Sequence, residues 1–362
     1  MEFNAYTYSF PFKKSFKTSS HTFTSRKGIV LELKADNFTA LGEAAPLPGF
    51  SQESLEDVST QLKNFSDAIK NLLHESISLE ELQVFYRKNE IFPSLQFALD
   101  TLAIDYLSQK SGVTAQDYLF DDPTTNLKVN GVVSIQDDSA TLRKVDELAT
   151  DGYSTIKIKV GSDFNKELPI LKNIRSSYPE LALRLDANKA WELNDAIERL
   201  KKLGNLGIEY CEEPLAQVSI QNLKKLNNSV SVPVALDESL LQADSLDSIM
   251  PFISVVVIKP MVFGSLSKLF ATNRLAVSHN NKVIYTTSLE SGIGRTMTVI
   301  LATGLGNKNS AHGLATGSLL KMDVWNDGTY INNGSVSLPD RTELGKRYHS
   351  NHTYLKPGRM DL

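Results

Sequence analysis

The chain has 362 residues, 41% hydrophobic and 22% charged, with a formal net charge of −4. This is an ordinary globular composition, long enough for a barrel of roughly 250 residues plus an addition. The charges are interspersed, which excludes the basic stripe of a nucleic-acid binder, and no apolar run nears the ~18 residues of a membrane span. The N-terminus lacks the apolar stretch of a secretory signal. The one cysteine, Cys211, rules out an internal disulfide framework, so a cytoplasmic location is expected. The six histidines are scattered without zinc-ligand spacing.

Residues 3–45 read as strands. "AYTYSF" alternates, and "GIVLELKADNFTALGEAA" reads as strand, turn around Ala35-Asp36-Asn37, strand. From about 52 to 111 the period becomes helical. That stretch opens on a loose capping pattern, Ser51, Ser54 and Asp57. "PSLQFALDTLAIDYLSQKSG" has Pro93 at a helix start and Gly112 at its end. From about 127 short apolar strands alternate with amphipathic helices. The strands fall near 128–134, 153–160, 181–187, 208–213, 232–238, 254–259, 282–287 and 310–315, with helical segments in every gap. The alternation predicts an α/β fold, a (β/α)8-type barrel. The expected organisation is an α+β capping domain over 1–120, a barrel catalytic domain over 121–320, and a C-terminal segment, 321–362, completing the cap. In that tail "GTYINNGSVSLPD" reads as a hairpin returning to the N-terminal strands. The polar segment 13–28 fits either a mobile lid over the barrel mouth or a long hairpin loop.

Lys157 and Lys159 in "STIKIKVG" share one strand face, with Ile156, Ile158 and Val160 on the other. Alone, the pair reads as a solvated edge. The rest of the chain changes that reading. Lys159, Asp186, Glu212, Asp237 and Lys259 each fall near the C-terminal end of a successive strand, about one βα unit apart. In a barrel those ends meet at one mouth. Three carboxylates there raise each other's pKa values unless a cation compensates. An all-oxygen set without His or Cys suits Mg²⁺, with Mn²⁺ as a substitute, rather than zinc. Lysines beside such a cation titrate lower, so Lys159 suits a general base near neutral pH. Lys259 approaches across the mouth. The expected chemistry is proton abstraction α to a carboxylate of a small-molecule substrate, the enediolate stabilised by the metal.

The strings "KIKVG", "RLDANKAW", "CEEPL", "ALDES", "VIKPMVFG" and "TSLESGIG", in this order, resemble the enolase superfamily in its muconate-lactonizing-like branch, over nearly the whole chain. Within that branch "GEAAPLPGFSQESLED" (42–57), Arg184 in "LRLDANKAW" and "SLESGIG" (288–294) are most similar to the o-succinylbenzoate synthases of menaquinone biosynthesis. The resemblance implies a Mg²⁺-dependent dehydratase acting on 2-succinyl-6-hydroxy-2,4-cyclohexadiene-1-carboxylate. It implies Asp186, Glu212 and Asp237 as metal ligands, with Glu213 behind them. Lys159 would take the α-proton and then help expel the β-hydroxyl. Lys157 would lower the pKa of Lys159 and touch the substrate carboxylate, and Lys259 would stabilise charge from the other side of the ring. The alternative on this scaffold is an N-succinylamino acid racemase or dipeptide epimerase, which needs Lys159 and Lys259 as acid–base partners. "SLESGIG" lacks the Asp-x-Asp pair usual in dipeptide epimerases. A non-enzymatic binding protein fits poorly with every ligand and both lysines retained. "LPDRTELG" departs from the Pro-Gly turn of many relatives. Monomer and homo-oligomer both stay open.

Other residues carry two readings each. Asn188 hydrogen-bonds near the metal or shapes its loop. Ser288 binds a substrate carboxylate or caps a helix. Glu290 orients Lys259 or caps the next helix. Arg184 positions Lys159 or closes the ion-pair network. Phe50 and Ser51 wall the pocket or pack. Trp191 and Cys211 read as core.

Overall fold

The computed structural model describes residues 1–17, 22–35, 38–75, 77–324, 331–338 and 358–362. The expected turn at Asp36 and Asn37, and "LPDRTELG" from 339 onward, lie outside them.

The N-terminal sheet is antiparallel, β1 (Glu2–Lys17), β2 (Thr22–Ala35) and β3 (Phe38–Ala44) in that order. Residues 13–17 and 22–28 are therefore strand, with Phe16 opposite Phe23 and Lys17 opposite Thr22. Of the two readings of 13–28, the described part is a hairpin arm. Four helices follow, α1 (Leu55–Asn64), α2 (Ser66–Glu75), α3 (Leu79–Asn89) and α4 (Pro93–Ser111). Ser54 and Asp57 form a reciprocal capping box on α1. Gly112 ends α4 in a left-handed conformation, φ 73°. α4 packs so closely on β3 that a Cβ at Gly42 would collide with the Ala98 carbonyl.

After α5 (Ala115–Leu119) and β4 (Asn126–Lys128) the strand–helix alternation begins. Its members are β5 (Gly131–Ser134), α6 (Asp138–Thr150), β6 (Thr155–Lys159), α7 (Phe164–Ser177), β7 (Ala182–Asp186), α8 (Leu193–Leu203), β8 (Ile208–Glu212) and α9 (Ile220–Asn227). Then come β9 (Val234–Leu236), α10 (Leu246–Ile249), β10 (Val255–Ile258), α11 (Pro260–Phe263), α12 (Leu266–Ser278), β11 (Lys282–Tyr285) and α13 (Gly292–Leu305). β5 to β11 form one parallel sheet in sequence order. The eighth strand is reduced to bridges, Val129 with His312 and Thr286 with Gly313. His312 N donates to Lys128 O at 2.8 Å and Gly313 N to Tyr285 O at 2.9 Å, which curls the sheet closed. A 3₁₀ turn, Ala315–Leu319, stands where the last helix was expected. "ATGSL" is too short and too rich in poor helix formers to propagate one.

Parallel strands covered on both faces are apolar along their length, as "VVVI" of β10 shows. Ile156, Ile158, Leu183, Leu185, Val256 and Ile258 pack outward against helices such as α8, which buries Ala196, Leu200 and Leu203. Tyr210, Ala235, Val255, Val257 and Ile284 fill the lumen. The tail hairpin, β12 (Ile331–Asn332) and β13 (Ser335–Ser337), pairs with β4 and not with the N-terminal strands. Val336 opposite Leu127 joins the barrel core there and covers an otherwise open strand edge. The last residues do reach the cap, Met360 N donating to Ala5 O at 2.9 Å. No helix among the described residues is long and apolar enough to cross a membrane.

Two buried carboxylates rivet cap to barrel. Glu43 of β3 accepts from Ser291 N (2.8 Å), Ser291 Oγ (2.6 Å), Gly294 N (2.8 Å) and Tyr8 Oη, capping α13 from another sheet. Asp100 of α4 accepts from Leu266 N (2.8 Å) and Tyr86 Oη (2.7 Å). Replacing Glu43 with Ala strands these donors, and urea unfolding is expected to register a loss of roughly 2–4 kcal/mol. Burial pushes Asp100 up to about 7, against the pull of its hydrogen bonds. Its folded pKa exceeds the unfolded value near ~4, so stability present below that value is lost as pH rises towards ~7. Asp100→Asn is expected to flatten that slope between about pH 4 and 7, measured by denaturant titration.

Candidate active site

Register builds the site. Lys159 lies beside Asp186, and Asp186 beside Glu212, across β6, β7 and β8. Asp237 and Lys259 follow the last residues of β9 and β10. All five sequence-predicted groups, with Lys157, therefore meet at one rim. Asp186, Glu212 and Asp237 are 5%, 3% and 6% exposed.

The lysines answer the carboxylates. Lys157 Nζ bridges Asp186 Oδ2 at 3.0 Å and Glu212 Oε1 at 2.9 Å. Burial works to lower its pKa, but Asp186 and Glu212 outweigh burial and hold it well above the usual range. Asp186, which burial alone would raise, is kept low by Lys157 and Lys159. Lys159 stands further off, 3.9 Å from Asp186, with 32% of its side chain exposed. Lys259 is bonded to Asp237, only 11% of its side chain is exposed, and its ammonium lies 4.7 Å from the centre of the Phe50 ring. Burial pulls Lys259 down to about 8.

Glu213 stands behind the rim, as expected. It takes Asp237 N (2.8 Å), Ser239 N (2.9 Å) and Ser239 Oγ (2.7 Å), and so holds the loop that carries Asp237. Burial raises Glu213 to about 7, and burial together with the Glu213 charge raises Glu238 likewise to about 7. Asn188, at φ 44°, shapes its loop, its backbone N–H reaching Asp186 Oδ1 at 3.2 Å.

Other expectations are redirected. Arg184 faces the lumen one layer below the rim, away from Lys159. It pairs with Glu209 (2.8 Å), donates to Ala311 O (2.7 Å) and Asn130 Oδ1 (3.3 Å), and stacks 4.8 Å from the Tyr210 ring centre. A register shift opposite Leu183 and Arg184 makes Glu209 the extra residue of β8 and lets it meet Arg184. Ser288 does not cap α13, whose N-cap is Ser291. The Ser288 hydroxyl is buried without a hydrogen-bond partner among the described residues. Glu290 takes Ser288 N and, at 2.9 Å, Thr298 Oγ1, rather than Lys259. Ser51 Oγ locks its own turn by accepting from Leu47 N at 2.9 Å, so only Phe50 of that pair reaches the mouth. Trp191 packs on Phe164 and Cys211 is core, as read. Glu43, Glu209 and Glu238 were not foreseen. No local signal marks Glu43 or Glu209, whereas Glu238 follows directly on Asp237 in "ALDES".

Residues 140–348, more than half of the chain, match the family model described as "Enolase C-terminal domain-like". The chain belongs to the enolase superfamily. Residues 1–104 of this superfamily member match "MenC, N-terminal domain". It is 26% identical over 352 residues to the o-succinylbenzoate synthase of Bacillus subtilis, covering 94% of this chain and 92% of that one. It is also 26% identical over 342 residues to the N-succinylamino acid racemase of Thermus thermophilus, covering 92% and 91%. The substrate-liganded L-Ala-D/L-Glu epimerase from Bacillus subtilis superposes with a TM-score of 0.80 at 21% identity, covering 94% and 96%, which shows a shared fold.

The donor set of this enolase-superfamily rim suits a hard divalent cation, being all carboxylate oxygen, buried and on neighbouring strands. Among the described residues no three acidic, His or Cys side chains converge as a ready-made cage. Lys157 and Lys259 carry the countercharge. Arg184→Met is expected to lower stability by about 3 kcal/mol, because Glu209 is left partly buried and unpaired. Equilibrium unfolding with and without Glu209→Gln in the same chain checks this, the double variant recovering part of the loss.

Proposed function

We propose that the chain is an o-succinylbenzoate synthase, dehydrating 2-succinyl-6-hydroxy-2,4-cyclohexadiene-1-carboxylate with Mg²⁺. The observation that carries the reading is the asymmetry of the two lysines. Lys159 is partly exposed and loosely paired, while Lys259 is bonded to Asp237 beneath Phe50. One loosely paired base and one firmly paired cation suit an elimination on a single face. The match of residues 1–104 to the MenC N-terminal domain supports the same substrate.

Asp186, Glu212 and Asp237 are the residues that would hold Mg²⁺. When bound, the ion supplies positive charge against the negative charge that builds on the substrate carboxylate. Lys159 Nζ takes the α-proton. Lys157, fixed between Asp186 and Glu212, sits where it attracts that carboxylate. Lys259 presents its charge to the opposite face of the ring. Protonated Lys159 then gives its proton to the departing β-hydroxyl, which leaves as water, and the ring becomes aromatic.

Loss of diene absorbance is expected with Mg²⁺ and not with excess EDTA, and Lys159→Ala is expected to lower kcat by about 10³-fold or more. A folded, Mg²⁺-loaded protein that leaves the diene untouched sinks the assignment. The second reading is a racemase of N-succinylamino acids, favoured by the lowering of Lys259 to about 8, within reach of acid–base work. Racemisation of N-succinylamino acids, lost in both Lys159→Ala and Lys259→Ala while each variant still exchanges the α-proton of one enantiomer in D₂O, would select it.

A further inference from the structure

The first barrel strand carries a lumen position that nothing above uses. β5 sets Val132 in register with Lys157 and Ser134 with Lys159. Gly131 and Val133 face outward, because a Cβ at Gly131 would meet Leu148 of α6 and Val133 lies in the outer core. Val132 therefore points into the barrel. The lumen residues Tyr210, Ala235, Val255, Val257 and Ile284 are at most 2% exposed, whereas Val132 is 48% exposed. The way the barrel closes explains the difference. His312 exchanges hydrogen bonds with Lys128 and Asn130, just before β5, and Gly313 then turns to Tyr285 and Thr287. Beyond Asn130, the sheet partner of β5 among the described residues is β6 alone. The lumen is thus open beside the lysine pair, and its wall there is a pair of valine methyl groups.

We propose that Val132 is the apolar wall of the substrate cavity and sets the size of the group accepted beside Lys157 and Lys159. This rests on the reading of the lysine–carboxylate rim as a carboxylate-substrate site. Val132 and Phe50 then give the cavity apolar surface on β5 and, at Lys259, from the cap. Charge is concentrated between them. That arrangement suits a flat, mostly hydrocarbon body bearing a carboxylate. It suits less well a chain with polar amides along its length, whose groups would face methyls and an aromatic ring.

The test uses the full chain and two variants. Cys211, the one native cysteine, is fully buried, so Val132→Cys provides the reporter. The new thiol is expected to react rapidly with a small methanethiosulfonate reagent, and o-succinylbenzoate with Mg²⁺ is expected to slow that reaction. Val132→Phe is expected to keep the wild-type melting temperature while lowering kcat/KM at least about tenfold, through KM. Labelling as slow as that of Cys211 overturns the proposal. So does labelling unaffected by o-succinylbenzoate whose binding calorimetry confirms, or an unchanged kcat/KM in Val132→Phe. Wild-type protein that neither turns over the diene nor binds o-succinylbenzoate overturns the synthase assignment instead. Protection of Val132→Cys by an N-succinylamino acid then decides the wall for the racemase reading, and no protection overturns it.

Discussion

Lys159 beside Asp186, and Asp186 beside Glu212, is a consequence of parallel register, and the rest of the molecule is arranged around it. Three carboxylates on adjoining strand ends repel one another wherever water is excluded. The lysines relieve that repulsion in place. Lys157 serves two carboxylates from one strand, and Lys259 serves Asp237 from another. A buried ion pair adds little net stability, but an unpaired partner is costly. The rim is therefore held together by charges that each need another, and in the proposed function a divalent cation would take over part of that countercharge.

The cap completes this rim as well as covering it. Glu43 ties the N-terminal sheet to the start of α13, and Asp100 ties α4 to the start of α12. Both anchor loops that leave the C-terminal ends of strands, the same end that carries the chemistry. With those loops fixed, the turn Leu47–Ser51 is positioned to set Phe50 over Lys259. Below, Arg184 and Glu209 neutralise each other within the barrel floor, so their charges pair with one another rather than with the rim.

Most of the rim was legible because a barrel repeats. One βα unit brings the chain back to the same mouth, so Lys159, Asp186, Glu212, Asp237 and Lys259 could be placed together from spacing alone. Strand parity likewise put Lys157 with Lys159. Where register breaks, that logic fails. Glu209 belongs by parity with Cys211 on the outer face, and the bulge opposite Arg184 brings it to the guanidinium. Contacts made across the whole chain were equally invisible. Glu43 caps a helix 248 residues further on, and no spacing rule connects them. Ser288 and Ser291 both stand before a helical run, and only the loop's path decides that Ser291 takes the N-cap position, where Glu43 rather than a serine hydroxyl receives the free N–H groups. The eighth strand was read at 310–315, and its bridges at His312 and Gly313 fall inside that span, but a few hydrogen bonds suffice to close a curled sheet, so it survives as bridges rather than as a regular strand.

The lysine-laced rim is proposed here as a single divalent-cation site built from three strands. Titration of the purified protein with Mn²⁺, followed by electron paramagnetic resonance, tests it most directly. The account predicts one tightly bound Mn²⁺ per chain, displaced by Mg²⁺ and lost in Glu212→Gln. Binding unchanged in Glu212→Gln, or no stoichiometric binding to the folded wild-type chain, would contradict it.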